Sequence, residues 1–183
     1  MSNLQFTDIS NFTNNKAIVT FQNKLTSIID NTGNIILKTI KDFSFEKVLN
    51  DDIYLVKNNL NAKKGVINLK GELIIKSKYN EIEQVKSFFI AKINNKKGFI
   101  SLTDSIIKPF DYDKIYFSYF TTSFVLRDYK VGDNFIMQKD NLYGVINPYI
   151  VNDIIPLRYK NIITLFDKYY IVQNAEDKSG LLL

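Results

Sequence analysis

Short apolar runs separated by polar turns fill the chain from end to end, and one stretch shows the unit clearly. In Lys63–Ile82, KKGVINLKGELIIKSKYNEI, the pattern predicts a strand at Gly65–Asn68 and a tight turn at Lys70–Gly71. A second strand follows at Glu72–Ile75, then a basic–aromatic corner at Lys78–Tyr79. Val66, Leu73 and Ile75 can share one sheet face, because side chains alternate along a strand. Gly71 supplies the positive φ that a tight hairpin needs, and Gly33 offers the same in an earlier copy.

The unit recurs. Its glycine strand has counterparts at Thr26–Asp30 (with Ser27 in the glycine's place), Lys97–Ser101, Tyr143–Asn147 and Ser179–Leu183. From Ser27 through Gly65, Gly98 and Gly144 to Gly180 the steps are 38, 33, 46 and 36 residues, a period typical of repeat architectures. A second apolar strand follows each glycine strand at Ile35–Leu37, Leu73–Ile75, Ile106–Ile107 and Ile154–Ile155. An aromatic residue three positions before an isoleucine marks each corner: Phe6 and Ile9, Tyr79 and Ile82, Tyr112 and Ile115, Tyr159 and Ile162. Around Phe43–Val48 this corner is blurred. A third apolar strand then leads to the next glycine, at Ala17–Phe21, Ile53–Val56, Phe88–Ile93, Phe135–Met137 and Tyr169–Val172. Thr103-Asp104-Ser105 and Pro148–Asn152 replace the turn glycine in the third and fourth copies, so those turns are expected to differ. One three-stranded unit cannot bury its apolar face alone; stacked neighbours can.

The expected fold is therefore all-β: about five short antiparallel three-strand repeats in a curved solenoid-like or propeller-like array. A single domain is expected over residues 1–183, with units near 6–30, 43–68, 79–101, 112–147 and 159–183 and an insertion near 116–133. Leu181-Leu182-Leu183 is a bare apolar stretch whose cover is expected from an adjacent repeat, ahead of ring closure or a second copy.

Composition narrows the chemistry. A hydrophobic fraction of 45% and an aromatic fraction of 14% belong to a folded chain. With no cysteine, disulfides, thiolate metal sites and cysteine nucleophiles are excluded. With no histidine, the usual general base of catalytic triads and the commonest zinc ligand are missing too. The N-terminal residues lack a basic start followed by an apolar core, and no stretch reaches the roughly 20 apolar residues of a membrane span, so the expected location is cytoplasmic. Asn11-Phe12-Thr13 matches a glycosylation acceptor, which that location leaves without meaning.

The segment Lys97–Asp113, with its Lys-Gly-Phe-Ile strand followed by Ile-x-Pro-x-x-Tyr-Asp, resembles the WG-repeat (KWG) family of bacterial proteins. The resemblance extends from about Phe6 to Leu183. It departs from the family in lacking tryptophan: Lys64, Lys97, Tyr143 and Ser179 precede the glycines. The resemblance implies a β-hairpin repeat array used for binding, in a family some of whose members look like partners of secreted toxins. Its implication here is a non-enzymatic protein-binding module, in its most specific form an immunity-type protein that neutralises a toxin, with another protein as partner and no cofactor.

Two regions stand out as candidate surfaces. The 46-residue step exceeds the one before it by 13 residues, and the excess lies in Tyr116–Asp133. Insertions within repeats usually emerge on the binding face, and tyrosine with arginine is enriched at interface hot spots. Tyr116, Phe117, Tyr119, Phe120, Arg127 and Tyr129 are thus the partner-binding candidates, the competing reading being an extra hairpin whose aromatics complete the core. Between Lys57 and Lys97, ten lysines stand against three glutamates. Lys63, Lys64, Lys70, Lys76, Lys78, Lys96 and Lys97 form the alternative site, a basic face for a polyanion or cell-envelope glycan. Tyr79, Phe88, Phe89 and Phe99 sit at repeat positions and are expected in the core, and arginine is nearly absent, so nucleic acid is disfavoured as a ligand. A carboxylate-based hydrolase is the remotest reading. Asp51-Asp52, Glu81/Glu83, Asp111/Asp113 and Glu176-Asp177 are paired in sequence only, and the corner positions suit residues that satisfy turn backbone. No catalytic or metal-binding residue is assigned.

Overall fold

A computed structural model describes residues 6–50, 52–117, 134–165 and 169–182. These residues form nineteen strands and no helix, arranged as five antiparallel sheets in which every neighbour in space is a neighbour in sequence. The first sheet holds β1 (Phe6–Ile9), β2 (Lys16–Phe21), β3 (Thr26–Asp30) and β4 (Ile35–Leu37). The second holds β5 (Phe43–Val48), β6 (Ile53–Asn58), β7 (Lys64–Asn68) and β8 (Leu73–Tyr79). The third holds β9 (Glu81–Val85), β10 (Phe88–Ile93), β11 (Lys96–Ser101) and β12 (Ile106–Tyr112). The fourth holds β13 (Lys114–Phe117), β14 (Phe135–Lys139), β15 (Leu142–Ile146) and β16 (Ile155–Tyr159). The fifth holds β17 (Asn161–Leu165), β18 (Tyr169–Gln173) and β19 (Ser179–Leu182). The chain divides into two compact units, Met1–Asn94 with Ile100–Ser105, and Asn95–Phe99 with Ile106–Leu183.

Each full sheet thus has four strands, one more than the three-strand unit expected. The additional strand is the corner itself. The stretch expected to be blurred is strand β5, which pairs with β6 through a register shift between Phe45 and Lys47, and Tyr79, Tyr112 and Tyr159 each close the last strand of one sheet before the chain enters the next.

Burial explains the two kinds of apolar pattern. Inner strands are buried on both faces: Ala17, Ile18 and Val19 of β2 are all buried, as are Phe88, Phe89, Ile90 and Ala91 of β10. Such strands read as continuous apolar runs. Outer strands alternate; in β8, Ile75 and Tyr79 are buried while Lys76 and Lys78 are exposed. In the first unit, Ile18 and Ile28 pack with Phe45, Val48, Tyr54, Val56 and Ile67, while Ala17, Val19 and Ile29 cluster separately with Phe6 and Phe21. In the second unit, Val145, Ile155 and Tyr159 pack with Ile162, Tyr170 and Val172.

The repeating glycine is there to admit another backbone. A Cβ at Gly65 would lie 2.7 Å from the Ile75 carbonyl oxygen, at Gly98 2.8 Å from that of Pro109, and at Gly144 2.6 Å from that of Ile155. Both β7–β8 and β15–β16 break register at this residue, so the outer strand crosses over it in a bulge. Ser27 is tolerated because β4 stops at Leu37. Its hydroxyl instead accepts a 3.1 Å hydrogen bond from the Thr39 amide, and Thr39 Oγ1 donates to the Thr26 carbonyl.

One turn is used in both glycine and non-glycine copies. At Asp30–Gly33, Asn68–Gly71 and Ser101–Asp104 the fourth amide donates to the first carbonyl. The first side chain accepts amide hydrogen bonds from the residues two and four further on. Asp104 takes φ 64°, beside 86° at Gly33 and 80° at Gly71. The third copy's turn was expected to differ and does not, since aspartate tolerates the left-handed region. The fourth copy does differ, as described next.

Candidate interaction surface

The register of the fourth sheet brings the end of β13, the start of β14 and the β15–β16 loop to one end. Phe117 pairs with Phe135, and Phe135 pairs with Ile146. The end of β13 and the start of β14 therefore lie beside the start of the β15–β16 loop, residues 147–154. The corresponding β9–β10 connection is only Lys86–Ser87. Asn147 Nδ2 donates to Asn134 Oδ1 at 3.0 Å, tying the two stems together, and Asn134 Nδ2 donates to the Tyr170 hydroxyl at 3.0 Å.

The β15–β16 loop presents an apolar tip. Asn147 starts it as an Asx turn, its Oδ1 accepting from the Tyr149 amide at 2.9 Å, and Pro148 is buried. Tyr149, Ile150 and Ile154 are exposed, and Val151 is 91% exposed. Consecutive exposed apolar residues in a turn are unusual on a soluble surface and mark contact sites. The backbone beneath them is held from inside the second unit, where Lys108 Nζ donates to the Val151 carbonyl at 2.7 Å. Lys108 is itself only 8% exposed. It stands four residues before Tyr112, where Ile75 and Ile155 precede Tyr79 and Tyr159. An ammonium thus occupies a position that two sister strands fill with isoleucine, and its hydrogen bond is spent on the loop. Lys108→Met should keep the unit's urea midpoint within about 1 kcal/mol, because the buried stem is retained and water can solvate the freed carbonyl. It should also speed amide exchange across residues 149–153, read by hydrogen-exchange mass spectrometry. A loss of several kcal/mol with unchanged loop exchange would make Lys108 a purely structural residue.

Of the partner-binding candidates, Tyr116 lies on β13 and is 39% exposed, and Phe117 closes that strand. Tyr119, Phe120, Arg127 and Tyr129 lie outside the described residues. The structure adds Tyr149, Ile150, Val151 and Ile154, whose signal in the sequence was an apolar triplet in a turn slot.

The lysines of the alternative site are drawn into local pairs at three positions. Lys64 Nζ is 2.7 Å from Glu46, and Lys78 is 3.1 Å from Asp104 with its ammonium 5.0 Å from the Tyr79 ring. Lys96, in the second unit, is 2.5 Å from Asp113. Lys63, Lys70, Lys76 and Lys97 lie on or beside β7, β8 and β11, with Lys70 and Lys76 exposed. Tyr79, Phe88, Phe89 and Phe99 are all buried.

Five of the carboxylates paired in sequence form ion pairs, and Asp51 lies outside the described residues. Asp113 accepts from Lys96 and, at 2.9 Å, from the Asp140 amide; these bonds, the lysine's first, hold its carboxyl below the usual range. Asp111 pairs with Lys139, Glu81 with Lys92, Asp177 with Lys160 and Glu176 with Lys178. Among the described residues no cluster of acidic side chains has the makings of a metal site, and no helix is long and apolar enough to cross a membrane.

Residues 65–96 fit the family model of the WG containing repeat. The matched span begins at Gly65 and so takes β7 and β8 from the second sheet and β9 and β10 from the third. It supports a WG-repeat relationship and a repeat module. No curated protein matches the chain.

Proposed function

We propose that the chain is a non-enzymatic protein-binding repeat module, its 1–183 span acting as one domain, with the irregular end of the fourth sheet as its contact surface. The observation that carries this reading is the exposed apolar tip Tyr149–Val151, anchored by Lys108 beside the end of β13 and the start of β14. A preorganised apolar loop contributes affinity because little ordering entropy is lost on binding. The more specific form of the proposal, an immunity-type protein that masks a toxin domain, draws on the WG-repeat relationship. A photo-crosslinking residue at position 151, with a control at Asp140 at the opposite end of the same sheet, tests the reading in lysate of the source cells. The expected result is one stoichiometric protein captured from 151 and not from 140, lost when Tyr119 and Arg127 are replaced. Capture of nucleic acid or glycan that salt removes would favour the lysine-rich face instead. Equal capture from both positions, or none, would overturn the proposal.

A further inference from the structure

Two polar side chains in the second unit stand where sister strands carry apolar ones. Strand register makes Phe89, Phe135 and Tyr170 equivalent, each two residues before the partner of a corner isoleucine. Those partners are Ala91 opposite Ile82, Met137 opposite Ile115 and Val172 opposite Ile162. All three rings are buried, so packing asks only for the ring, and the Tyr170 hydroxyl is an addition. One residue earlier the third sheet has Phe88, 1% exposed, and the fourth has Asn134.

The two additions meet. Asn134 Nδ2 donates to the Tyr170 hydroxyl oxygen, and Asn134 Oδ1 accepts from Asn147 Nδ2, each at 3.0 Å. Asn147 Oδ1 in turn accepts from the Tyr149 amide at 2.9 Å. One directed chain thus runs from the core to the start of the apolar tip. Its direction is fixed at the loop, because the Tyr149 amide can only donate. Asn147 must therefore turn its oxygen to Tyr149 and its nitrogen to Asn134, and Asn134 repeats the arrangement toward Tyr170. At the inner end, Tyr170 packs with Val145, Ile155 and Tyr159, where a ring cannot shift without displacing close-packed neighbours.

We propose that Tyr170 and Asn134 are positioning residues for the β15–β16 loop, through which the core of the second unit sets the conformation that a partner meets. The functional meaning of this coupling rests on the reading of that loop as the contact surface. Lys108 holds the loop at the Val151 carbonyl, and the chain from Tyr170 holds it at its entry, Asn147–Tyr149. A loop fixed at both places loses less entropy when it is bound. By linkage the coupling is reciprocal: whatever occupies the tip also steadies Asn134 against Tyr170.

The test uses the full 183-residue chain and amide hydrogen exchange resolved by residue with nuclear magnetic resonance. Tyr170→Phe installs the side chain that two sister strands already carry. It should raise exchange at the Tyr149 amide at least ~5-fold and leave the amides of Ile171 and Val172 unchanged. Asn134→Leu should do the same, and the double variant should add nothing, because either change cuts the same chain. Asn134→Asp should return the Tyr149 amide to the parent rate, since a carboxylate can accept from both Asn147 Nδ2 and the Tyr170 hydroxyl. Unchanged exchange at Tyr149 in Tyr170→Phe, additive effects in the double variant, or equal acceleration along β18 would each overturn the proposal. Capture of a partner from position 151 is a separate measurement, so a failed coupling leaves the contact surface standing and a failed capture leaves the coupling standing.

Discussion

Gly144→Ala is expected to lower stability by about 3 kcal/mol, at the upper end for overpacking a tight site. The new Cβ would stand 2.6 Å from the Ile155 carbonyl oxygen and 3.0 Å from the Leu157 amide nitrogen. Met137 Cε, 2.9 Å away, can swing aside, but the two backbone atoms belong to β16 and can retreat only by unpairing it from β15. Unpairing exposes Ile155 and Tyr159, both buried in the core of the second unit. Gly98→Ala should behave alike, since the Lys108 and Pro109 carbonyl oxygens lie 2.9 and 2.8 Å from its Cβ position. Urea midpoints followed by far-ultraviolet circular dichroism check this. A Gly144→Ala protein within about 0.5 kcal/mol of the parent would show that the outer strand yields freely, removing the reason given for the repeating glycine.

Asp104→Ala should cost a similar amount, about 3 kcal/mol, from two separable sources. Asp104 accepts a short hydrogen bond from the fully buried Tyr79 hydroxyl and pairs with Lys78. It also holds the turn at φ 64°, which alanine tolerates poorly. Asp104→Gly should restore the turn and remove the hydrogen bond it accepts from the Tyr79 hydroxyl, whereas Asp104→Asn should recover part of both. Burial first, then the Asp104 hydrogen bond and charge, push the Tyr79 phenol well above its ordinary value. Burial, with the charges of Asp153 and Asp111, raises Tyr112 to about 12. For a group whose folded pKa is raised, the stabilising contribution is complete below the unfolded value near 10 and is lost as pH climbs beyond it. The urea midpoint should therefore hold steady through neutral pH and fall above about pH 10, less steeply in a Tyr79→Phe, Tyr112→Phe double variant. An equally steep fall in that variant would place the alkaline sensitivity elsewhere.

The glycine strands were legible because a sterically compelled residue recurs with its apolar neighbours, so even the degenerate copy at Ser27 could be placed. The turn at Asp104 was misjudged because glycine is not the only residue that enters the left-handed region. A composition rule looks for glycine, whereas the backbone asks for φ near 60°. The Tyr79–Asp104 pair spans 25 residues and joins a corner to a turn, a distance over which spacing says nothing. The 13-residue excess was visible as a length, but the nearness of the flanking strand ends to residues 147–154 is a matter of strand register, which sets Phe117, Phe135 and Ile146 side by side. Lys108 was hidden for a different reason. A lysine in an outer strand reads as solvent-facing until its alignment with Ile75 and Ile155 shows that the position points inward.

The offset between sequence period and sheet has a consequence for how such a chain can change length. A segment running from one repeating glycine to the next, such as Gly65 to Lys97, ends one sheet and begins another. Excising it in frame would join β5 and β6 directly to β11 and β12, which is again four antiparallel strands in the same order. Duplicating it would insert a sheet and leave the rest of the ladder intact. Unequal recombination between gene copies can therefore shorten or extend the array by whole periods without ever creating half a sheet.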